Sequence, residues 1–335
     1  MSEAVDLIIV GGGATGLAAA VRAAADGLSA VVLERDAPGG HVRSHARVEA
    51  VLGHPVGITG AEFTERTVAQ ATRFGAQLRV GAEMVALHAH GRVREIALAD
   101  GSTIAAYAVI VATGVQLPEL VPASVLRFAG SGVYFAVPAQ LPESLRGQDV
   151  LVAGSAETAV RAALRLSGDC RSVTLLGCSR REYDALAAER PVAIDGARIV
   201  TLKACHEIVD AYGVERVEAL VLRDRRTGRT TFWNAAALFL VGAETPRVTA
   251  LRDSVAISNE GFVVTGIQVP DWSLGRQPYS HETSVPGVFA AGAVRRGASD
   301  SIRTSIEDGI AAARQAGDYL KGLAATSRSR STSEF

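Results

Sequence analysis

The sequence predicts an α/β protein built on two copies of a β-turn-α-β unit. Three observations carry this. Short β-branched apolar runs alternate with Ala-rich runs, 34 glycines punctuate them, and a strand, small-residue turn and helix follow one another near residue 5 and again near residue 149. Hydrophobic residues make up 48% of the 335-residue chain but aromatics only 5%, so the cores must be built from Ala, Val, Leu and Ile. That length corresponds to about two domains.

The first unit opens with the apolar strand Val5–Val10. Gly11-Gly-Gly-Ala-Thr-Gly16 follows, then an Ala-rich helix to about Asp26, a break at Gly27, and a second strand, Ser29–Leu33, that stops at Glu34. This is G-x-G-x-x-G between a strand and a helix, with an acid 18 residues after the last glycine. Gly11 permits the tight turn, Gly13 lets the backbone approach a pyrophosphate, and Gly16 lets the helix pack close on the strand. The helix N-terminus then turns its free N–H groups and the positive end of its dipole towards phosphate oxygens. Glu34 is placed to accept hydrogen bonds from a ribose diol.

The second unit has the strand Asp149–Ala153, the turn Gly154-Ser-Ala-Glu-Thr-Ala159, a helix over Val160–Ser167 and the strand Ser172–Leu176. Its turn reads G-x-A-x-x-A, with the Ala156 methyl where backbone would otherwise meet phosphate. Arg180 and Arg181 follow the second strand, where a 2′-phosphate would need cations, which favours NADP over NAD. Read without a ligand, they are solvated surface charges.

Between and after these units the sequence reads as strand meanders. Val80–Leu87, Arg92–Ala99 and Ser102–Ala108 alternate apolar and polar residues, with a turn at Asp100-Gly101. Val109–Gly114 is expected as a further, buried strand ending in a small-residue loop. Arg216–Arg223 and Thr230–Asn234 form a hairpin, and Ala237–Gly242 and Val288–Gly292 are buried strands. A last amphipathic helix runs from about Ser301 to Leu323, with Ile302, Ile306 and Ile310 on one face, and residues 324–335 are expected as a disordered tail.

Composition excludes several classes. A net charge of −1 without a charge block in the body argues against a nucleic-acid surface. No apolar run reaches the ~18 residues needed to span a bilayer. Met1–Val10 lacks a basic n-region and a long apolar stretch, so no signal peptide and a cytoplasmic location are expected. Cys170, Cys178 and Cys205 are 8 and 27 residues apart, which matches no metal or redox spacing, so they are expected as reduced thiols with no metal site.

Ile9–Gly16, Leu33-Glu-Arg-Asp-Ala-Pro-Gly-Gly40, Val111-Ala-Thr-Gly114 and Thr283–Gly292, in this order, resemble the low-molecular-weight thioredoxin-reductase-like pyridine nucleotide oxidoreductases. The resemblance implies two Rossmann-like domains. An FAD domain would be made from residues 1–116 and 248–323, with an NAD(P)-type domain inserted at 117–247. It carries the FAD contacts onto Gly11, Gly13, Ala14, Thr15, Gly16, Glu34, Arg35, Gly40, His41, Val85, Thr113, Gly114, Gly292, Ala293, Ser301 and Ile302. It carries the NADPH contacts onto Gly154, Ala156, Glu157, Thr158, Arg180 and Arg181. It also implies a homodimer.

The departures from the family pattern are informative. Where the reductases carry Cys-x-x-Cys after a Gly-Val-Tyr run, this chain reads Gly132-Val-Tyr-Phe-Ala-Val-Pro138, as in a branch of the family that lacks the thiols. The loop acid that usually binds the ribityl chain is Ala293, the Ile-Glu-Asn run is Val48-Glu-Ala50, and Asp300 and Ser301 stand where a basic or amide pair usually caps the flavin edge. The ribityl end is therefore expected to be loose. Two functions follow. One is an oxidoreductase passing hydride from NAD(P)H through FAD to a small-molecule or other non-dithiol acceptor. The other is a reductase scaffold redeployed as a non-redox enzyme or binding protein. His41 is the candidate acid–base group, because it replaces the usual flavin-side glutamine and histidine titrates near neutrality. Its neighbours His45 and His54, like His41 itself, can equally be ordinary loop histidines.

Overall fold

The computed structural model describes residues 4–45, 47–48, 51–116, 122–135, 137, 141–154, 156–177, 179, 181, 199–242, 245–298 and 301–331. The chain packs as two compact units. Unit 1 comprises residues 1–43, 49–116 and 246–335, and unit 2 comprises 44–48 and 117–245.

Unit 1 begins with β1 (Val5–Val10), α1 (Ala14–Ala25), β2 (Ala30–Glu34) and α2 (Gly60–Arg73), followed by β3 (Gln77–Val80), β4 (Met84–His90), β5 (Val93–Leu98), β6 (Thr103–Val111) and the short β7 (Val115–Gln116). The sheet order is β3-β2-β1-β6-β5-β4, parallel from β3 to β6 and antiparallel from β6 to β4. Both faces of β1 are covered, which is why it reads as a continuous apolar run. Leu7 and Ile9 pack on the helical side with Ala19, Ala20 and Ala23. Ile8 and Val10 pack on the other side with Met84, Leu87 and Ile96 of the meander. Truncating one of these fully buried side chains to Ala would cost about 2–5 kcal/mol.

Ser102–Ala108 and Val109–Gly114 were expected as separate strands, but the structure joins them in β6. The first half of β6 pairs antiparallel with β5, and Val109–Val111 continues beside β1, so one strand serves both an antiparallel and a parallel neighbour. Helix α2 was not anticipated, although its signal is present. Thr59 caps it by accepting from the Glu62 N–H at 3.2 Å, with an acid at the third helical position.

Unit 2 contains α3 (Ala123–Leu126), β8 (Val133–Tyr134), β9 (Asp149–Gly154), α4 (Ala156–Leu166), β10 (Ser172–Leu176), β11 (Ile199–Lys203), β12 (His206–Tyr212), β13 (Ala219–Asp224), β14 (Thr230–Asn234) and β15 (Ala237–Val241). A parallel sheet runs in the order β11-β10-β9-β15-β8. Val150, Val152, Val173 and Leu175 face α4, whereas Leu151, Leu176, Leu238 and Leu240 face the antiparallel β12-β13-β14 layer. Trp233 on β14 donates its indole N–H to Thr174 Oγ1 at 3.1 Å, tying that layer to the sheet.

Continuous assignment of residues 1–116 to one body needs correcting at 44–48, which packs with unit 2. There the His45 ring lies 6.5 Å from Phe135, and Gly130 is so close to the Arg47 carbonyl that a Cβ would come within 2.6 Å of it.

After the short β16 (Thr245–Pro246), the chain finishes in unit 1 with β17 (Val288–Ala290), which pairs in parallel with Val109–Val111, and α5 (Ile302–Ser331). The helix runs eight residues beyond the expected end at Leu323, so the segment 324–331 is helical rather than a disordered tail. Ala324 and Ala325 continue it, and no glycine or proline stops it after Gly322. Among the described residues, no helix is long and apolar enough to cross a membrane, and no group of three or more His, Cys, Asp and Glu could hold a metal ion.

Candidate functional site

Three stretches of unit 1 converge on the turn between β1 and α1. Gly11 sits at φ +106°, and a Cβ there would run into the Ala112 carbonyl at the end of β6. Its N–H donates to Leu33 O at 2.8 Å, so the turn is locked between β2 and β6. Gly16 packs on the Gly11 carbonyl, again without room for a Cβ. Gly13 differs, since no atom lies within 4 Å of where its Cβ would be. It precedes α1 without a side-chain cap, and the first turn of α1 has no acidic residue. The helix therefore presents uncapped N–H groups to open space, a cradle that fits a diphosphate.

Glu34 also holds the turn. One carboxylate oxygen accepts from Gly12 N–H at 2.7 Å and the other from Asp36 N–H at 2.9 Å, which fixes the carboxylate at the end of β2. A carboxylate offers about four lone-pair positions, so two acceptor positions are left for a diol. Arg35 points elsewhere. It pairs with Asp36 at 2.9 Å and Glu83 at 3.6 Å, and the Asp36 carboxylate raises its pKa.

The Gly39 N–H donates to Gly12 O at 2.7 Å, and Gly40 lies against Gly13, so the Gly40–Ser44 turn carrying His41 is stitched to the glycine-rich turn. Thr113 donates its hydroxyl to Arg247 O at 2.8 Å and Gly114 accepts from Arg247 N–H at 3.0 Å, so this pair anchors the returning chain. Val85, on β4, is about half exposed.

From the C-terminal side, Gly292 lies against the Thr15 hydroxyl at a point with no space for a Cβ. Ala293 follows it in a single 3-10 turn, Gly292–Val294. Ser301 caps α5, accepting from Thr304 N–H at 3.1 Å, and Ile302 is the first helical residue. Asp308, a group the sequence reading missed, accepts from Gly292 N–H at 3.0 Å, binds Arg295 through both oxygens and meets His281 at 3.2 Å. Burial would raise the Asp308 pKa. The His281 hydrogen bond, the Arg295 charge and the Gly292 N–H override it and hold the carboxyl at about 2. Glu49, Ala50 and Asp300 lie outside the described residues.

Unit 2 repeats one contact of the first turn. Gly154 abuts the Val241 carbonyl at the end of β15, as Gly11 abuts Ala112, and α4 starts at Ala156. Thr158 and Arg181 are exposed, whereas Ser155, Arg180 and the side chains of Ala156 and Glu157 lie outside the described residues. Tyr134 stacks on Phe239 at 5.4 Å. Cys170 is buried, and half-buried Cys205 accepts from Arg226 Nε at 3.0 Å. Ala136, Pro138 and Cys178 lie outside the described residues. Burial lowers the pKa of His45.

Two parallel-sheet units, each with a glycine turn clamped by the neighbouring strand's carbonyl, define a two-Rossmann-domain nucleotide oxidoreductase. The chain belongs to the pyridine nucleotide-disulphide oxidoreductases, whose family model matches residues 5–316. It is of the thioredoxin-reductase type, a family of enzymes that use FAD and NADPH. It is 32% identical over 332 residues to a bifunctional thioredoxin reductase/thioredoxin of Mycobacterium leprae, covering 98% of this chain and 69% of that one. It is 30% identical over 328 residues to a thioredoxin reductase of Streptomyces clavuligerus, covering 97% and 96%. The crystal structure of thioredoxin reductase from Streptococcus pyogenes MGAS5005 shares the fold, with a TM-score of 0.75 at 22% identity over 96% of this chain and 100% of that one. A near full-length match to reductases lends the redeployed-scaffold reading no support.

Proposed function

We propose that this chain is an FAD-dependent oxidoreductase that draws hydride from NAD(P)H and delivers it to a non-dithiol acceptor, such as a small molecule. Bound FAD supplies the two-electron chemistry. Everything else falls to the protein's own groups. Gly11, Gly13, Gly16 and the start of α1 hold the diphosphate, and Glu34 orients the adenosine ribose. Gly154, Thr158, Arg180 and Arg181 hold NADPH, with the arginines at its 2′-phosphate. His41, on the turn stitched to Gly12 and Gly13, is the candidate proton donor or acceptor.

The observation that carries this reading is an intact diphosphate cradle in a chain without Cys-x-x-Cys. Gly13 keeps its open approach, while Gly132–Pro138 contains no cysteine. A thiol pair that could relay electrons by disulfide exchange is thus missing from the place where the resemblance puts it. The same resemblance supports a homodimer.

The test is the visible spectrum of the purified protein, followed by assay with NADPH and thioredoxin. The reading expects flavin absorbance, bleaching by NADPH, and no reduction of thioredoxin. A colourless protein that rejects added FAD would overturn the flavin assignment. Thioredoxin turnover that survives replacement of all three cysteines by Ser would overturn the account of the acceptor.

A further inference from the structure

Asp308 lies in the second turn of α5 and is surrounded by donors. Oδ2 accepts from Gly292 N–H at 3.0 Å and from Arg295 Nε and Nη2 at 3.2 and 3.0 Å. Oδ1 accepts from Arg295 Nη2 at 3.1 Å and faces His281 Nε2 at 3.2 Å. The cluster is largely shut off from water, with the side chains of Asp308 and Arg295 each 19% exposed and that of His281 10%.

The proton on His281 can be assigned from its other side. The His281 backbone N–H donates to Gln315 Oε1 at 2.9 Å, so the Gln315 amide nitrogen faces Ser280 Oγ at 2.8 Å and His281 Nδ1 at 3.2 Å. Nδ1 therefore accepts, and Nε2 carries the proton aimed at Asp308. The Arg295 guanidinium lies opposite the carboxylate and neutralises it.

The neighbouring contacts give this cluster a purpose. Gly309, the next residue, packs on the Thr15 carbonyl in the first turn of α1, and Gly292 packs on the Thr15 hydroxyl, both without space for a Cβ. Asp308 thus ties the Gly292–Val294 loop to α5 where α5 rests on the helix whose N-terminus forms the diphosphate cradle.

We propose that Asp308 is a positioning residue that holds the C-terminal cofactor loop through the Gly292 N–H, making up from the helix for the carboxylate that the loop lacks at Ala293. This rests on the FAD reading above. It also changes what Ala293 means. The loop is anchored from behind, so an acid restored at 293 enters a loop that Asp308 already holds through Gly292 instead of securing a loose end.

The test uses full-length apo-protein in two measurements, FAD titration and amide hydrogen exchange over residues 288–298, with residues 5–10 of β1 as the internal control. Asp308→Asn should weaken FAD binding about tenfold or more. It should speed exchange over 288–298 before any FAD is added and leave β1 unchanged. Ala293→Asp should change FAD affinity by less than about threefold. If Asp308→Asn fails to fold, Asp308→Glu replaces it, because it keeps the charge against Arg295, displaces the carboxylate by one methylene and should loosen the same segment.

A folded Asp308 variant with wild-type FAD affinity and wild-type exchange would overturn the proposal. So would an Ala293→Asp gain of tenfold or more. If wild-type protein rejects FAD, the flavin reading fails separately and the exchange arm decides this one. Faster exchange in the variant then supports the loop-holding role, and unchanged exchange overturns it.

Discussion

The backbone N–H of Gly292 donates to the carboxylate of Asp308 over 3.0 Å, linking residues 16 apart in the chain. Its pH dependence follows from the carboxyl's position at about 2, below its ordinary 3.8. A carboxyl depressed by folding stabilises the fold above its unfolded value, and that contribution is lost as pH falls through the folded value. The Asp308 contribution should therefore be constant above about pH 5 and disappear between pH 4 and pH 2. Hydrogen exchange over residues 288–298, measured from pH 8 downwards and corrected for intrinsic rates, should show no loosening until that acid window.

Two glycines of the first turn should separate binding from folding. Gly13→Ala projects a methyl into the open approach and should raise the FAD Kd about tenfold or more, ~1.4 kcal/mol, without lowering the melting temperature of the apo-protein. Gly11→Ala forces a Cβ onto the Ala112 carbonyl at φ +106° and should destabilise the apo-protein by about 1–3 kcal/mol. Thermal melts and FAD titrations of the two variants check this.

Arg180 and Arg181 should set the choice between nicotinamide cofactors. Replacing both by Ala should raise KM for NADPH about tenfold or more and leave NADH nearly unchanged, because only NADPH carries the 2′-phosphate. Steady-state kinetics with both cofactors decides it, and equal effects on both would remove the arginines from this role.

His45 should make stability pH-dependent. Burial lowers its pKa below the ordinary 6.5, so the unfolded chain binds a proton that the folded one resists. Wild-type stability should therefore decline as pH falls from 6.5 towards the lowered folded value. His45→Phe keeps a ring against Phe135 and removes the titration, so its melting temperature should fall less between pH 7 and 5.5.

The sequence made the local parts of this site legible and left the tertiary parts hidden. The spacing of Gly11, Gly13 and Gly16 reports one turn with a tight bend, an open approach and a close helix seat, but that Gly11 abuts the Ala112 carbonyl and Gly16 the Gly11 carbonyl is visible only in the structure. The acid at Glu34 was visible, but its two bonds to Gly12 and Asp36 N–H groups were not. Asp308 gave no signal, because its partners come from the two sides of β17, His281 before it and Gly292 and Arg295 after it, and an acid inside an amphipathic helix ordinarily marks a solvated face. Helix α2 was readable from Thr59 and Glu62, whose capping pattern precedes Phe63. The departure of residues 44–48 to unit 2 depends on the packing of His45 on Phe135, which no local pattern encodes.

The central claim is that electrons pass from the nicotinamide to a flavin with no dithiol behind it, so without an added acceptor they stay on the flavin. Anaerobic titration with NADPH, following flavin absorbance, counts them directly. A flavin accepts two electrons and a redox disulfide two more, so a reductase with a working dithiol consumes two equivalents of NADPH where flavin alone consumes one. Full bleaching at one equivalent per bound FAD, unchanged when Cys170, Cys178 and Cys205 are all replaced by Ser, is the predicted result. Consumption of a second equivalent that disappears in the triple variant, or flavin that NADPH does not bleach, would contradict it.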